Sequence, residues 1–180
     1  MREPRAINRV VVQLLGRDAI LEGTVRNLAG VPHQGSTWIV QKGDRDAILA
    51  PRPVEPSRVP DPKFFEGLAN SKTVLLNGED HDVFGDGSVV IKSSPGHTPG
   101  HQSLFLKLAN TGNVLLSGDL YHYPEEITYK KVPATDPNRE QTAKSREMIE
   151  EFVKQNQAQL WIQHDYTTGI KRKIAPAFYD

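Results

Sequence analysis

Three side chains of the kinds that bind transition metals each follow a short apolar segment of this 180-residue chain. They are His97 after residues 88–93, Asp119 after residues 113–117 and His164 after residues 159–163. The composition of each segment predicts a β-strand. If these strands lie in one sheet and end at a common edge, the two imidazoles and the carboxylate meet there. The pattern therefore predicts a metal site at a sheet edge.

The segment around His97 reads Ser94-Pro-Gly-His-Thr-Pro-Gly-His101. His97 and His101 are four residues apart, which is the spacing of a helical ligand pair, but Pro99 and Gly100 lie between them and break a helix. We therefore predict a rigid loop. In this loop His97 is the metal ligand, and His101, which leads into the next strand, supports it.

The segment Tyr121-His122-Tyr123 follows Asp119 closely and is the predicted place of substrate contact. A phenol there could donate a hydrogen bond to the carbonyl oxygen of an ester or lactone as negative charge develops on it. The alternative is that these aromatic rings pack at the rim of the sheet. The sequence leaves both interpretations open.

Further elements are predicted around these candidate residues. Strands are expected over residues 8–15, which contain Val10-Val11-Val12, and over residues 37–41, 73–77, 82–84 and 102–106, with a turn at residues 85–87. Helices are expected over residues 18–28, 44–50, 62–70 and 136–155, the last with Asp136 as its cap and Pro137 as its first residue. Met148, Ile149, Phe152 and Val153 form the face of that helix predicted to pack on the sheet. Residues 51–62 contain five prolines and should run extended as a connector or a lid.

The composition is that of a globular domain and excludes several functions. Hydrophobic residues make up 37% and charged residues 24%, which predicts one domain with a sizeable core. The formal net charge of zero gives no electrostatic footprint for nucleic acid or for a membrane surface. The absence of cysteine leaves imidazole and carboxylate as metal ligands. No segment has the pattern of a secretory signal or a membrane span, so a cytoplasmic location is expected. The acidic pairs at residues 125–126 and 150–151 are expected on the solvated surface.

Several of these segments resemble a known family. The runs GHTPGHQSLFLKL, LLSGDLYHY and WIQHD, together with GSTWIVQKGDRDA at residues 35–47, resemble the metallo-β-lactamase-fold hydrolases, in particular the N-acyl-homoserine lactonase-like branch. The resemblance covers residues 35–167. It implies a partial αββα sandwich of the α/β (α+β) class, with mixed or antiparallel sheets flanked by helices. It also implies that His97 binds one metal ion, that Asp119 bridges two and that His164 binds the second.

The sequence also departs from this family. Such enzymes carry an HxHxDH motif ahead of the segment that matches Gly35, and this sequence contains no such motif. We therefore expect residues 1–34 to be an atypical N-terminal segment and residues 35–180 to be a metallo-β-lactamase-like domain, within a single domain. Zinc or another divalent transition metal is expected to bind weakly, with Asp18, His33 and His81 as further candidates for ligands. In the lactonases, a tyrosine stands three positions after the bridging Asp; here that position is His122.

The resemblance implies a metal-dependent hydrolase of ester or lactone bonds, in which metal-bound hydroxide attacks the carbonyl. The expected catalytic residues are Asp119, Tyr121 and His122, and the expected partner is a small-molecule ester or lactone. The alternative is a truncated, inactive homologue that acts as a binding or oligomeric module. A chain with the later strands of a two-sheet fold but not the opening ones should also expose an apolar face or a strand edge. We therefore expect a homodimer or higher homo-oligomer whose interface includes residues 1–34.

Overall fold

The computed structural model describes residues 10–12, 37–50, 72–173 and 177–180. The helices predicted over residues 18–28 and 62–70 and the proline-rich segment 51–62 lie outside the described residues, as do Asp18 and His33. Of residues 1–34, which are predicted to form an interface, the structure describes only Val10–Val12. In the described part of the chain, no helix has the length and apolar character needed to cross a bilayer.

Within the residues that the structure describes, eight strands form two sheets. They are β1 (Val10–Val12), β2 (Thr37–Gln41), β3 (Lys72–Leu76), β4 (His81–Asp82), β5 (Val89–Ser93), β6 (Gln102–Leu108), β7 (Gly112–Leu116) and β8 (Gln159–Trp161). The first sheet has the order β1-β2-β3 and is parallel throughout. The second has the order β4-β5-β6-β7-β8 and is antiparallel except for the β7–β8 pair. The strands predicted from the apolar segments are confirmed to within one or two residues at most ends.

The carboxyl ends of β5, β7 and β8 lie at one edge of the second sheet. Both β5 and β7 run antiparallel to β6, so they are parallel to each other, and β8 is parallel to β7. The loops that carry His97, Asp119 and His164 leave the sheet at this edge. The predicted convergence of the three strands is therefore confirmed.

The helices are α1 (Lys42–Leu49), α2 (Glu125–Thr128), α3 (Arg139–Gln155) and α4 (Tyr166–Gly169), with a 3₁₀ turn at Gly118–Leu120. The cap of α3 differs from the prediction. Asn138 caps this helix and accepts a hydrogen bond from the amide of Gln141, whereas Asp136 lies before the helix and turns its carboxylate to His97. Asp and Asn are both good N-caps, so the local sequence does not decide between Asp136 and Asn138. The contact of Asp136 with His97, which is distant in sequence, leaves Asn138 as the cap.

The core has two layers, one on each face of the second sheet. On one face Ile39 and Leu76 of the first sheet pack with Ile91 of β5, which joins the two sheets. On the other face Phe105 and Leu115 pack with Ile149 of α3. Complete burial of a side chain such as Ile149 contributes about 1.5–3 kcal/mol.

The predicted apolar face of α3 is correct for Ile149, Phe152 and Val153. It is wrong for Met148, which is 47% exposed, because this residue lies at the solvent margin of the apolar stripe.

Candidate metal centre

Asp119 lies between two imidazoles. Its Oδ1 is 2.8 Å from Nε2 of His164, and its Oδ2 is 3.3 Å from Nε2 of His97. Burial opposes ionisation of this carboxyl, but hydrogen bonds with His97 and His164 outweigh burial and hold its pKa below its usual range. The structure therefore brings together the three ligands predicted from the sequence.

Side chains at the ends of β7 and β8 fix the backbone around Asp119 and His164. Oε1 of Gln163 accepts hydrogen bonds from Ser117 Oγ and from the Gly118 amide, both at 3.1 Å. Asp165 caps α4 by accepting from the amides of Thr167 and Thr168. The two loops are thus joined to each other directly before Asp119 and His164.

His97 has a second carboxylate on its other side. Nδ1 of His97 is 3.0 Å from Oδ1 of Asp136, whose Oδ2 accepts a hydrogen bond from Thr142 Oγ1 at 2.9 Å. Burial lowers the pKa of His97, but the hydrogen bonds with Asp119 and Asp136 prevail and raise it to about 9. An imidazole with Nδ1 on a carboxylate and Nε2 facing the cluster has the arrangement usual for metal-binding histidines. Sequence reasoning missed Asp136, because its capping position offered a local explanation.

His101 is completely buried beneath this cluster. Its Nε2 accepts a hydrogen bond from the Asp119 amide at 3.0 Å, so the ring proton is on Nδ1, which lies 3.1 Å from the Ser94 carbonyl oxygen. Burial and the neighbouring charge of His97 lower the pKa of His101 to about 4. The supporting role predicted for His101 agrees with these contacts.

Two helices enclose the His97 loop. Asp44 of α1 accepts hydrogen bonds from Thr98 Oγ1 at 2.9 Å and from the Gly100 amide at 2.7 Å. A β-carbon added at Gly43 would be 2.9 Å from Cβ of Pro99, and one added at Gly96 would collide with the backbone of Thr142 in α3. The glycines of the loop and of α1 thus allow close backbone contact.

His122 belongs to the same cluster. One ligand atom from each of Asp119, His122 and His164 lies within 4.8 Å of the others. The His122 ring stacks on that of His164, with centroids 5.0 Å apart and planes inclined by 26°. Its Nδ1 is buried and has no hydrogen-bond partner among the described residues. Burial lowers the pKa of His122, which favours the neutral form that binds metals. One carboxylate and two imidazoles fit zinc or a similar divalent transition ion.

Tyr121 does not face this cluster, so the prediction that it contacts substrate is wrong for this residue. Its side chain is completely buried in the core, and its hydroxyl donates a hydrogen bond to Oε1 of Glu150 at 2.6 Å. Burial and the Glu150 carboxylate raise the pKa of this phenol. Tyr123, in contrast, is 58% exposed. The alternative of aromatic packing therefore applies to Tyr121.

Arg146 of α3 organises the segment that follows Asp119, a role that the sequence did not indicate. Its guanidinium donates hydrogen bonds to the Leu120 carbonyl at 2.8 Å, to the Lys131 carbonyl and to Oε2 of Glu126 at 2.6 Å. Glu126 is therefore paired with Arg146, and Glu150 accepts the hydrogen bond of the Tyr121 hydroxyl. The predicted solvation of the acidic pairs is correct only for Glu125 and Glu151, which are exposed.

Two adjoining cavities flank Tyr123, and the smaller one also borders His122. The smaller has a volume of about 280 Å³, and its walls include His122, Tyr123 and Pro133. The larger, of about 420 Å³, shares Tyr123, Glu126 and Lys131 with it. A small molecule in the smaller cavity would lie against His122.

The chain is similar to lactonases in sequence and in fold. No family model matches the chain. The N-acyl homoserine lactonase AttM of Rhizobium radiobacter is 32% identical over 111 residues, which cover 60% of this chain and 42% of that protein. A solved N-acyl homoserine lactone hydrolase, with N-hexanoyl-L-homoserine bound at its catalytic metal centre, has a TM-score of 0.66 and 25% identity. The match covers 81% of this chain and 53% of that structure.

A hydrolase of the β-lactamase superfamily, AbOPH, has a TM-score of 0.51 at 19% identity, over 74% of this chain and 51% of that one. The fold is that of the metallo-β-lactamase superfamily, as the sequence predicted. Within it, the resemblance to the N-acyl homoserine lactonase-like branch is confirmed. The chain spans less than half the length of AttM.

Proposed function

We propose that this chain is a metal-dependent hydrolase of carboxylic ester or lactone bonds. The proposal rests chiefly on one observation: Asp119 is held between His97 and His164 at the edge where three parallel strands end. A divalent ion bound there would polarise a carbonyl oxygen and lower the pKa of water, which are the two effects that this reaction needs.

The residues of the chain have distinct roles in this proposal. Asp119 and His164 hold zinc or another divalent transition ion through a carboxylate oxygen and an imidazole nitrogen, and His97 faces the other oxygen of the same carboxylate. Asp136 orients His97 through Nδ1, and His101 fixes the backbone of Asp119. A site held in this way loses little entropy when an ion or a substrate binds.

Substrate would enter through the two cavities that flank Tyr123. Tyr123 contributes to the walls of both cavities and is exposed, so we assign its phenol the role of donor to the substrate carbonyl oxygen. The volume of about 280 Å³ next to the cluster suits the small ring of a lactone. The N-acyl homoserine lactones of the relatives are therefore the first substrates to test.

We further propose that the chain forms a homodimer or a higher even oligomer. Leu75 of the edge strand β3 is 46% exposed, and an apolar side chain on a strand edge favours association. Light scattering over a range of concentrations tests this proposal. A constant monomer mass would refute it.

The activity is tested with purified protein, N-acyl homoserine lactones and an activated ester, with added zinc or manganese and after chelation. We expect hydrolysis that needs the added ion and that falls to background in Asp119→Asn. Asp46→Asn is the matched control, because Asp46 lies on the exposed surface of α1 and should not affect the rate.

The assay has two contrary outcomes. Hydrolysis that resists both chelation and Asp119→Asn would refute the metal mechanism. Absence of hydrolysis with the ion bound would favour the inactive binding or oligomeric module, an alternative motivated by the missing HxHxDH motif.

A further inference from the structure

We propose that His122 is a metal ligand, and that one divalent transition ion binds to Asp119, His122 and His164 as a three-residue site. This inference shares with the proposed function the binding of a divalent ion, and it does not require hydrolysis of any substrate. In this site the ion lies near Oδ1 of Asp119, the oxygen that contacts His164. His97 contacts the other oxygen, Oδ2, and is not a ligand of this ion.

The backbone directs His122 to the cluster. Tyr121 follows the 3₁₀ turn in an extended conformation, with φ −135° and ψ 138°. Neighbouring side chains of extended backbone point to opposite sides. Because Tyr121 is buried in the core, its neighbour His122 points away from the core, toward His164.

Hydrogen bonds on both sides hold this backbone in place. The Leu120 carbonyl accepts from Arg146 Nε at 2.8 Å, and the His122 amide donates to Oε2 of Glu126 at 3.1 Å. Arg146 also binds Glu126 directly. The position of His122 therefore depends on a buried network and not on a free loop.

The separation of the ligand atoms is close to that of a filled site. With metal–ligand bonds of about 2.0–2.2 Å, the ligand atoms of a tetrahedral ion lie about 3.3–3.6 Å apart. The observed group lies within 4.8 Å. The proposal therefore requires side-chain rotations that bring the three ligand atoms around one ion when it binds.

The two nitrogens of His122 have separate roles in this arrangement. Nδ1 is buried without a hydrogen-bond partner among the residues described and lies 3.8 Å from Oε1 of Glu126. A metal-bound histidine commonly donates its second N–H to a carboxylate. We assign Nε2 to the ion and Nδ1 to Glu126, which a small turn of the ring brings within hydrogen-bonding distance.

The lack of cysteine in this chain permits a direct test. In His122→Cys, a thiolate at position 122 that coordinates cobalt(II) gives a sulfur-to-cobalt charge-transfer band in the near ultraviolet. Thr111→Cys is the control, because Thr111 precedes β7 and lies at the opposite end of that strand from Asp119. We expect the band in cobalt-loaded His122→Cys only. The band would show direct contact between position 122 and the ion; because a thiol is shorter than an imidazole, the zinc affinities of the other His122 variants decide the proposal where no band appears.

Zinc affinity gives a second test that does not need a thiol. We expect His122→Phe and His122→Gln to bind zinc more than about 100-fold more weakly than the unaltered chain, since partners outside the ligand set already contribute about 10–100-fold and a ligand should contribute more. Circular dichroism shows that each variant is folded. Equal affinity in the folded variants would overturn the proposal.

The outcomes separate this inference from the proposed function. If the unaltered chain binds neither cobalt nor zinc, both are wrong. If it binds zinc and the His122 variants bind equally well, only the role of His122 is wrong. If binding depends on His122 but no ester or lactone is hydrolysed, the ligand assignment stands and the hydrolase proposal fails.

Discussion

The buried ring of His101 accepts a hydrogen bond from the amide of Asp119, with 3.0 Å between Nε2 and the amide nitrogen. This contact joins the start of β6 to the loop that follows β7, so an imidazole fixes the backbone of the central carboxylate. The carboxylate itself remains directed to His97 and His164.

His101→Phe should lower the free energy of unfolding by about 1–3 kcal/mol, because the ring then offers the Asp119 amide no acceptor. Denaturant unfolding measures the change. His81→Phe, in the two-residue strand β4, is the matched control and should change stability by less than about 0.5 kcal/mol. Equal effects of the two substitutions would contradict a special role for His101.

Gly118→Ala should destabilise the chain more than Gly85→Ala. Both glycines have positive φ, +58° and +71°, so both substitutions carry a backbone penalty of about 1 kcal/mol. A β-carbon at Gly118 would also be 2.8 Å from Nε2 of His101, whereas one at Gly85 meets nothing within 4 Å. Thermal unfolding of the two variants isolates the contact with His101. A smaller loss at Gly118 would show that this ring moves away freely.

Arg146→Met should lower the free energy of unfolding by about 3–5 kcal/mol, since it leaves the Glu126 carboxylate without its buried partner. Adding Glu126→Gln should recover part of this loss, because the unpaired charge is then removed. Denaturant unfolding of both single variants and the double variant measures the coupling.

Lys144→Met is the control for Arg146. The ion pair of Lys144 with Glu140 is exposed and screened by solvent, so its loss should change the free energy of unfolding far less than the loss of Arg146. Strictly additive effects of the Arg146 and Glu126 substitutions would contradict the network.

Zinc should stabilise the fold through Asp119. At a free zinc concentration of 100 times the Kd, binding should raise the free energy of unfolding by about 2.7 kcal/mol. Asp119→Asn should lose this increase, and Asp46→Asn should keep it. Because weak binding is expected, dialysis against a weak chelator should return the unaltered chain to its metal-free stability. Stabilisation that persists in Asp119→Asn would place the ion elsewhere.

The strands and their convergence could be predicted because they depend on local patterns. Apolar runs such as residues 113–117 identify strands. A metal-binding type of side chain directly after each of three strands indicates that the strands end at the same edge of the sheet. The direction of Tyr121 could not be predicted, since alternation along an extended segment says nothing about which neighbour faces the core.

The partners of the buried charges could not be predicted either. Asp136 meets His97 across 39 positions, and Arg146 meets Glu126 across 20. Such pairs depend on the packing of α3 against the sheet. No local feature of the sequence specifies them.

The close contacts of the His97 loop have a consequence for the kinetics of metal loading. A methyl group at Gly43 or Gly96 would collide with the opposite backbone, so the loop has almost no free volume in which to move. Folding has therefore already fixed the position of the His97 ring before any ion arrives. The rate of metal binding beside His97 should be set by diffusion and by dehydration of the ion, with no slow rearrangement of the loop. The His97 loop should have the same structure in the metal-free and metal-bound forms.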